Sequence, residues 1–171
     1  MIAYDQGMTG GAARLWWLLR HFGHDDAAVL AGAIGDWIGP LRAGEEEIES
    51  QEFDPRARDD DVVSAEEIEG KVGLNGVILL DARAPERYRG ETEPIDPVAG
   101  HIPGARNLPY AESDSVPDEL LGTEDEVVVY CGSGITACVD VLALERVGVR
   151  AKLYPGSWSE WSSRGLPVEL G

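Results

Sequence analysis

Apolar and polar positions alternate in blocks along the chain, and the blocks have two different periods. Val77-Ile78-Leu79-Leu80, Val127-Val128-Val129-Tyr130 and Ala151-Lys152-Leu153-Tyr154 are short runs rich in β-branched and aliphatic residues. Such runs predict buried strands of a parallel sheet. Thr136 to Val147 instead carries Ala137, Val141, Leu144 and Val147 at helical spacing, and Ala12 to Phe22 carries Leu15, Trp16, Leu18, Leu19 and Phe22. Both predict amphipathic helices, the first-mentioned opening after a glycine pair and the second ending before Gly23. Ala27-Ala28-Val29-Leu30 predicts one more short strand. Ser64 with Glu67 three residues on is a capping box that opens a short helix. Ser157 and Glu160 repeat the same spacing.

Two stretches lack any period. Gly44 to Asp61 is dense in glutamate and aspartate and predicts a solvated tether. Ala84 to Gly104 is long, studded with proline, and carries Arg87, Arg89, Glu91, Glu93 and His101. Loops of that length are functional or mobile more often than inert.

At 171 residues and 43 % hydrophobic, the chain suffices for one or two small domains with a real core. No apolar stretch is long enough to span a bilayer. Met1-Ile2-Ala3-Tyr4-Asp5 lacks the basic and apolar parts of a signal peptide, and two cysteines suit a reducing cytoplasm better than a disulfide scaffold. The net charge of −18 argues against nucleic acid and anionic membranes as partners. It also means that any anionic substrate must be drawn in by local arginines, since Lys71 and Lys152 are the only lysines.

The reactive candidate is Cys131. It stands between the strand ending at Tyr130 and the helix opening near Thr136, inside Cys131-Gly132-Ser133-Gly134-Ile135-Thr136. Two glycines permit a tight turn whose successive amides can surround an anion at a helix N-terminus. A thiol in such a place is a nucleophile rather than the small hydrophobe that a buried cysteine otherwise is. Cys138 falls within the helix and reads as core; neither cysteine has a second ligand at metal-site spacing. Asp81-Ala82-Arg83 follows another strand and comes to the same sheet edge, where Asp81 and Arg83 read as a buried structural pair.

Val129 to Thr136, Gly156-Ser157-Trp158-Ser159-Glu160-Trp161, and Gly100-His101-Ile102-Pro103-Gly104-Ala105-Arg106-Asn107 together resemble the rhodanese family. More narrowly, they resemble the catalytic domain of two-domain thiosulfate and 3-mercaptopyruvate sulfurtransferases. The resemblance implies an α/β fold, a parallel sheet flanked by helices, in which Cys131 carries a sulfane sulfur as a persulfide. It implies catalytic roles for Cys131, Ser133 and Thr136, and substrate binding by Arg87, Gly132, Gly134 and Ile135. Ser133 matches a serine that relays protons in mercaptopyruvate enzymes. Arg87 matches the arginine that binds the anionic donor, in the setting Arg87-Tyr88-Arg89-Gly90. His101, Trp158 and Trp161 are expected to pack and hydrogen-bond. The partners implied are a small anionic sulfur donor and a thiophilic acceptor, with no cofactor and no metal. One departure bears on the donor: where mercaptopyruvate enzymes place a further arginine, this chain has Glu93-Pro94-Ile95-Asp96-Pro97. That tilts the reading toward thiosulfate, with 3-mercaptopyruvate second.

Residues 1–43 echo the later half: Ala3-Tyr4-Asp5 takes the place of Val129-Tyr130-Cys131, and Gly32 to Trp37 that of Gly156 to Trp161. The expected organisation is a partial, non-catalytic rhodanese-like repeat over 1–43, an acidic linker over 44–63 and a catalytic domain over 64–171. The first copy lacks its opening half, which reads as a fragment or truncated frame. Its apolar face must then dock on the catalytic domain, be completed by self-association or a separate N-terminal fragment, or stay exposed. Two rival functions were weighed. A cysteine phosphatase would need an arginine where Ala137 stands; a non-catalytic sulfur-carrier or regulatory module would lack turnover.

Acid enrichment with scarce lysine also predicts a halophilic origin, where concentrated salt screens the self-repulsion. Unfolding followed against salt checks this: the fold is expected to need molar salt, and full stability in dilute buffer would contradict it.

Overall fold

The β-branched runs form the strands they predict, and their alternation covers both faces of one sheet. The structure is a computed structural model that describes residues 1–7, 10–45, 47 and 49–171. Met8 and Thr9 of the first repeat, and Glu46 and Ile48 of the acidic linker, lie outside the described residues. In chain order the elements are β1 (Ile2–Ala3), α1 (Gly11–His21), β2 (Ala28–Val29), α2 (Ala65–Glu69), β3 (Val77–Asp81), α3 (Pro85–Tyr88), β4 (Arg106–Asn107), β5 (Glu126–Tyr130), α4 (Ala137–Arg146), β6 (Ala151–Leu153) and α5 (Ser157–Ser163).

The main sheet has the order β4-β3-β5-β6, all parallel. Its register pairs Asp81 with Tyr130, so β3 and β5 end side by side and deliver Arg83 and Cys131 to one edge. Ile78, Leu80, Val127 and Val129 point into a core shared with α1 and α4. Leu79, Val128 and Tyr130 point the other way, into a core with Ile68 of α2 and Trp158 and Trp161 of α5. Fully burying each of these side chains contributes roughly 1.5–3 kcal/mol.

The linker boundary needs one correction. Val62 bridges Leu153 in parallel, the Val63 amide donates to the Leu153 carbonyl (3.0 Å), and the Leu153 amide donates to that of Asp61 (2.9 Å). Residues 61–63 therefore extend the sheet beyond β6. The stretch before them is tied down as well: the amides of Arg56 and Arg58 donate to the Phe22 and His21 carbonyls at the end of α1.

The N-terminal segment docks on the sheet domain. β1 and β2 pair in parallel, and α1 crosses from one to the other. Ala13, Trp16 and Trp17 of α1 are buried in one cluster with Cys138, Val141 and Leu144 of α4. Arg20 adds an ion pair with Glu145 (2.9 Å) and lies over the Trp16 ring. The other side stays open. A groove of about 780 Å³ runs between β2 and α4, and Met1, Ile2, Tyr4, Trp37, Ile38 and Leu41 are exposed nearby in sequence. No helix among the described residues is long and apolar enough to cross a membrane.

α4 also turns a carboxyl inward. Asp140 is fully buried, and neither of its oxygens has a hydrogen-bond partner among the described residues. Burial, with the negative charge of Asp81 behind it, pushes this carboxyl up to about 8. Its folded value thus lies above that of the unfolded chain, about 4. Between those values the folded state holds a proton that the unfolded chain has released, so stability falls as pH rises through the window. Asp140→Asn is expected to stabilise the protein at pH 8 by roughly 1–4 kcal/mol and to flatten that slope. Urea unfolding at several pH values measures it, and an unchanged slope would contradict the assignment.

Candidate active site

Cys131 is the first residue past β5, and its sulfur is almost wholly buried at the foot of the loop that leads into α4. The Gly134 amide donates to Cys131 Sγ at 3.1 Å. That contact requires a glycine: Gly134 has φ +74°, and a Cβ on it would lie 2.7 Å from the Pro155 carbonyl oxygen. Among the described residues this is the one amide that reaches the sulfur. The amides of Gly132, Ser133, Ile135 and Thr136 donate to no described group, which leaves four donors of the turn without an acceptor among the described residues. Ser133 and Ile135 are exposed at the rim and Thr136 is half-buried, with no hydrogen bond from the Ser133 or Thr136 hydroxyl among the described residues.

The opening of α5 holds the other side of the loop. The Trp158 amide donates to the Cys131 carbonyl (2.9 Å), and the Ser159 amide to that of Gly132 (3.0 Å). Ser157 does not cap α5 through Glu160, as its spacing predicts. Gly156 is the N-cap, and Ser157 is the one non-glycine among the described residues with positive φ (55°). That backbone turns the buried hydroxyl toward the strand end, where Ser157 Oγ accepts from the Cys131 amide (3.1 Å) and donates to the Tyr154 carbonyl (2.9 Å). Serine is thus a residue of this site that spacing alone misassigns.

Arg87 is brought to the loop by α3, and its Nη1 lies 3.6 Å from where a Cβ on Gly132 would stand. Two acids of the Glu93–Asp96 segment clamp it. Glu93 accepts from Arg87 Nε (3.2 Å) and Nη2 (2.6 Å), and Asp96 from Nη2 (3.4 Å). Burial raises the Glu93 carboxyl, but hydrogen bonds from Arg87 and from the Asp96 and Ile95 amides outweigh it and hold the group below the usual range. Glu93 also meets Arg83 Nη1 at 3.2 Å. The segment read only for the arginine it lacks therefore acts by orienting the arginine that is present.

Asp81 and Arg83 form the buried pair expected of them. Arg83 donates to Asp81 through its amide, Nε and Nη2, reaches the Gly100 carbonyl (2.7 Å), and stacks over Trp158 at 4.6 Å. His101 stacks on Tyr88 (3.9 Å between centroids), and its Nδ1 meets the Tyr88 carbonyl at 2.7 Å. Trp158 Nε1 donates to the Val98 carbonyl (2.9 Å). Together they fold the 84–104 loop over the sheet edge. Arg89 is exposed and paired with Glu91.

Cys138 is core, as read. Its thiol donates to the Gly134 carbonyl (3.4 Å), and burial pushes it up to about 12, with Arg14 pulling only weakly the other way. Asp5, standing in the position of Cys131 in the first repeat, accepts from the amides of Gly7 (3.2 Å) and Ala12 (3.4 Å). A strand–turn–helix corner in this chain thus already holds one anion through main-chain donors.

Residues 64–164 match the rhodanese-like domain. A probable 3-mercaptopyruvate sulfurtransferase of Pseudomonas aeruginosa is 40 % identical over 192 residues, covering all of this chain and 68 % of that protein. A Mycobacterium tuberculosis protein named as a thiosulfate sulfurtransferase is 38 % identical over 185 residues, covering 95 % of this chain and 64 % of that one. The crystal structure of the 3-mercaptopyruvate sulfurtransferase SseA from Escherichia coli superposes with a TM-score of 0.76 at 34 % identity, over 93 % of this chain and 66 % of that one. The chain thus spans about two thirds of the length of these relatives. A cysteine corner at the end of a parallel strand, the domain match and these sulfurtransferase relatives give one conclusion: the chain belongs to the rhodanese family.

Proposed function

We propose that the chain is a sulfurtransferase that moves a sulfane sulfur from an anionic donor to a thiophilic acceptor through a persulfide on Cys131. The observation that carries this reading is the Gly134 amide at 3.1 Å from Sγ, beside four amides of the same turn with no acceptor among the described residues. One donor meets the cysteine sulfur, and the unused ones suit the outer sulfur of a persulfide. In the first step Cys131 Sγ attacks the outer sulfur of thiosulfate. The sulfur–sulfur bond of the donor breaks, and sulfite leaves with its electron pair. In the second, cyanide or a thiolate attacks the outer sulfur of the persulfide, thiocyanate or a new persulfide departs, and Cys131 returns as the thiolate. Arg87 binds the anionic part of the donor with its clamped guanidinium. Ser133 and Thr136 line the rim as hydroxyl donors, and Gly132, Gly134 and Ile135 shape the cradle.

The names of the relatives divide between 3-mercaptopyruvate and thiosulfate. Glu93 and Asp96, acids where a second arginine would serve a carboxylate donor, favour thiosulfate here. The organisation proposed is a non-catalytic partial repeat over 1–43, a linker whose last residues, 61–63, join the sheet, and a catalytic domain from residue 64. Two strand–helix–parallel strand units, β1-α1-β2 and β5-α4-β6, stand at the paired positions and support the repeat. A second copy or a separate N-terminal fragment completes the short β1–β2 sheet, and the reduced thiols fit a cytoplasmic setting. The acidic surface fits a halophilic source.

Thiocyanate formation from thiosulfate and cyanide tests the activity. The native chain is expected to turn over, with a higher kcat/KM for thiosulfate than for 3-mercaptopyruvate, and Cys131→Ser to lose all turnover. Mass spectrometry after thiosulfate treatment should find one added sulfur on the Cys131 peptide. Equal, negligible rates in both proteins, with no added sulfur, would favour the non-catalytic module.

A further inference from the structure

The loop that holds Cys131 is gripped from three directions, and one of them is the N-terminal segment. Arg14 of α1 donates from Nη1 to the Gly134 carbonyl at 3.1 Å, across 120 residues of sequence. The same nitrogen lies 3.8 Å from Cys138 Sγ, and the guanidinium stacks over the buried Trp17 ring at 5.0 Å. One turn earlier, Gly10 comes so close that a Cβ on it would stand 3.3 Å from Thr136 Cα. α1 therefore touches the cysteine loop at two places, besides its apolar contact with α4.

Gly134 is the residue whose amide meets the sulfur, so both ends of its role meet in a few atoms. The Gly134–Ile135 peptide is planar and trans, and its carbonyl and N–H point in opposite directions. A donor that fixes the Gly134 oxygen on the α1 side thereby sends the Ile135 N–H away from α1. That N–H is one of the donors with no partner among the described residues. Glycine leaves the plane of this peptide free to rotate unless something outside the loop holds it. A charged guanidinium donor, backed by the Cys138 thiol on the same oxygen (3.4 Å), supplies that hold.

We propose that Arg14 is a positioning residue for the cysteine loop: by pinning the Gly134 carbonyl it sets the direction of the turn's amides. The N-terminal segment is then a working part of the site, through the reach of α1 into the loop. The turnover half of the test rests on the sulfurtransferase reading; the alkylation half does not.

The test compares Arg14→Met, Arg14→Lys and Arg20→Met in the full chain. Methionine keeps an apolar stem on Trp17 and removes the donors. Arg20 also ties α1 to α4, through Glu145 and Trp16, but has no contact with the loop. The readouts are alkylation of Cys131 by iodoacetamide, mapped by peptide mass, and single-turnover sulfur loading from thiosulfate. Arg14→Met is expected to slow both about ten- to a hundredfold while KM for thiosulfate, set by Arg87, stays unchanged. Lysine at position 14 should recover part of the rate, and Arg20→Met should keep the wild-type rate. Should Arg14→Met fail to fold, Arg14→Gln, with a neutral donor, takes its place and should react at an intermediate rate. Wild-type alkylation in the position-14 variants, or equal losses in Arg20→Met, would overturn the proposal. If wild type takes no sulfur from thiosulfate, the function proposed above fails, while the alkylation rates still decide the role of Arg14.

Discussion

The site depends on a single glycine residue held on both sides. The Gly134 amide meets the Cys131 sulfur, and the Gly134 carbonyl meets Arg14 and Cys138. Nothing else at that position would serve, because the positive φ and the approach to Pro155 both exclude a Cβ. The surrounding elements make sense as supports of this arrangement. β5 ends under full burial and fixes where the cysteine begins. α5 donates two amides to the carbonyls of Cys131 and Gly132, and its Ser157 hydroxyl accepts from the Cys131 amide. α1, docked through Trp16 and Trp17, closes the far side.

Charge poses the opposite problem. For the transfer proposed here, a chain of net charge −18 must attract an anionic donor, and long-range attraction is unavailable to it. The structure answers locally, with Arg87 beside Gly132. It then restrains that arginine with Glu93 and Asp96, which fixes the planar guanidinium and makes the immediate mouth less positive than a lone arginine would. An anionic donor must therefore share the guanidinium with two carboxylates. This favours a small donor that fits beside the clamp over one needing a second cationic contact. Salt weakens the global repulsion more than it weakens this short, partly buried pairing.

Much of this was legible from the sequence wherever a period or a turn residue enforced it. The strands from Val77 and Glu126, the helices from Gly11 and Ala137, and the Ser64 capping box follow from alternation, spacing and cap chemistry, and all appear as read. The cysteine corner was legible for the same reason: strand, glycine turn and helix succeed one another within a few residues. What escaped has physical causes. Ser157 carries a capping spacing, but a left-handed backbone turn sends its hydroxyl to Cys131 instead. Residues 61–63 pair with β6 through a run too short to show a period. Glu93 and Asp96 sit in an aperiodic loop, where nothing local says which cation they meet. Arg14 touches its target only through tertiary folding, and Asp140 is a lone acid among apolar helix neighbours that only tertiary packing buries.

If Cys131 carries the transferred sulfur, the Gly134 amide senses the charge on it. Amide proton and nitrogen shifts of the labelled protein, recorded before and after sulfur loading from thiosulfate, measure this. Gly134 is expected to move more than any other amide when the persulfide forms, with Ser133, Ile135 and Thr136 next. A Gly134 resonance that stays in place while Cys131 gains its sulfur would contradict it.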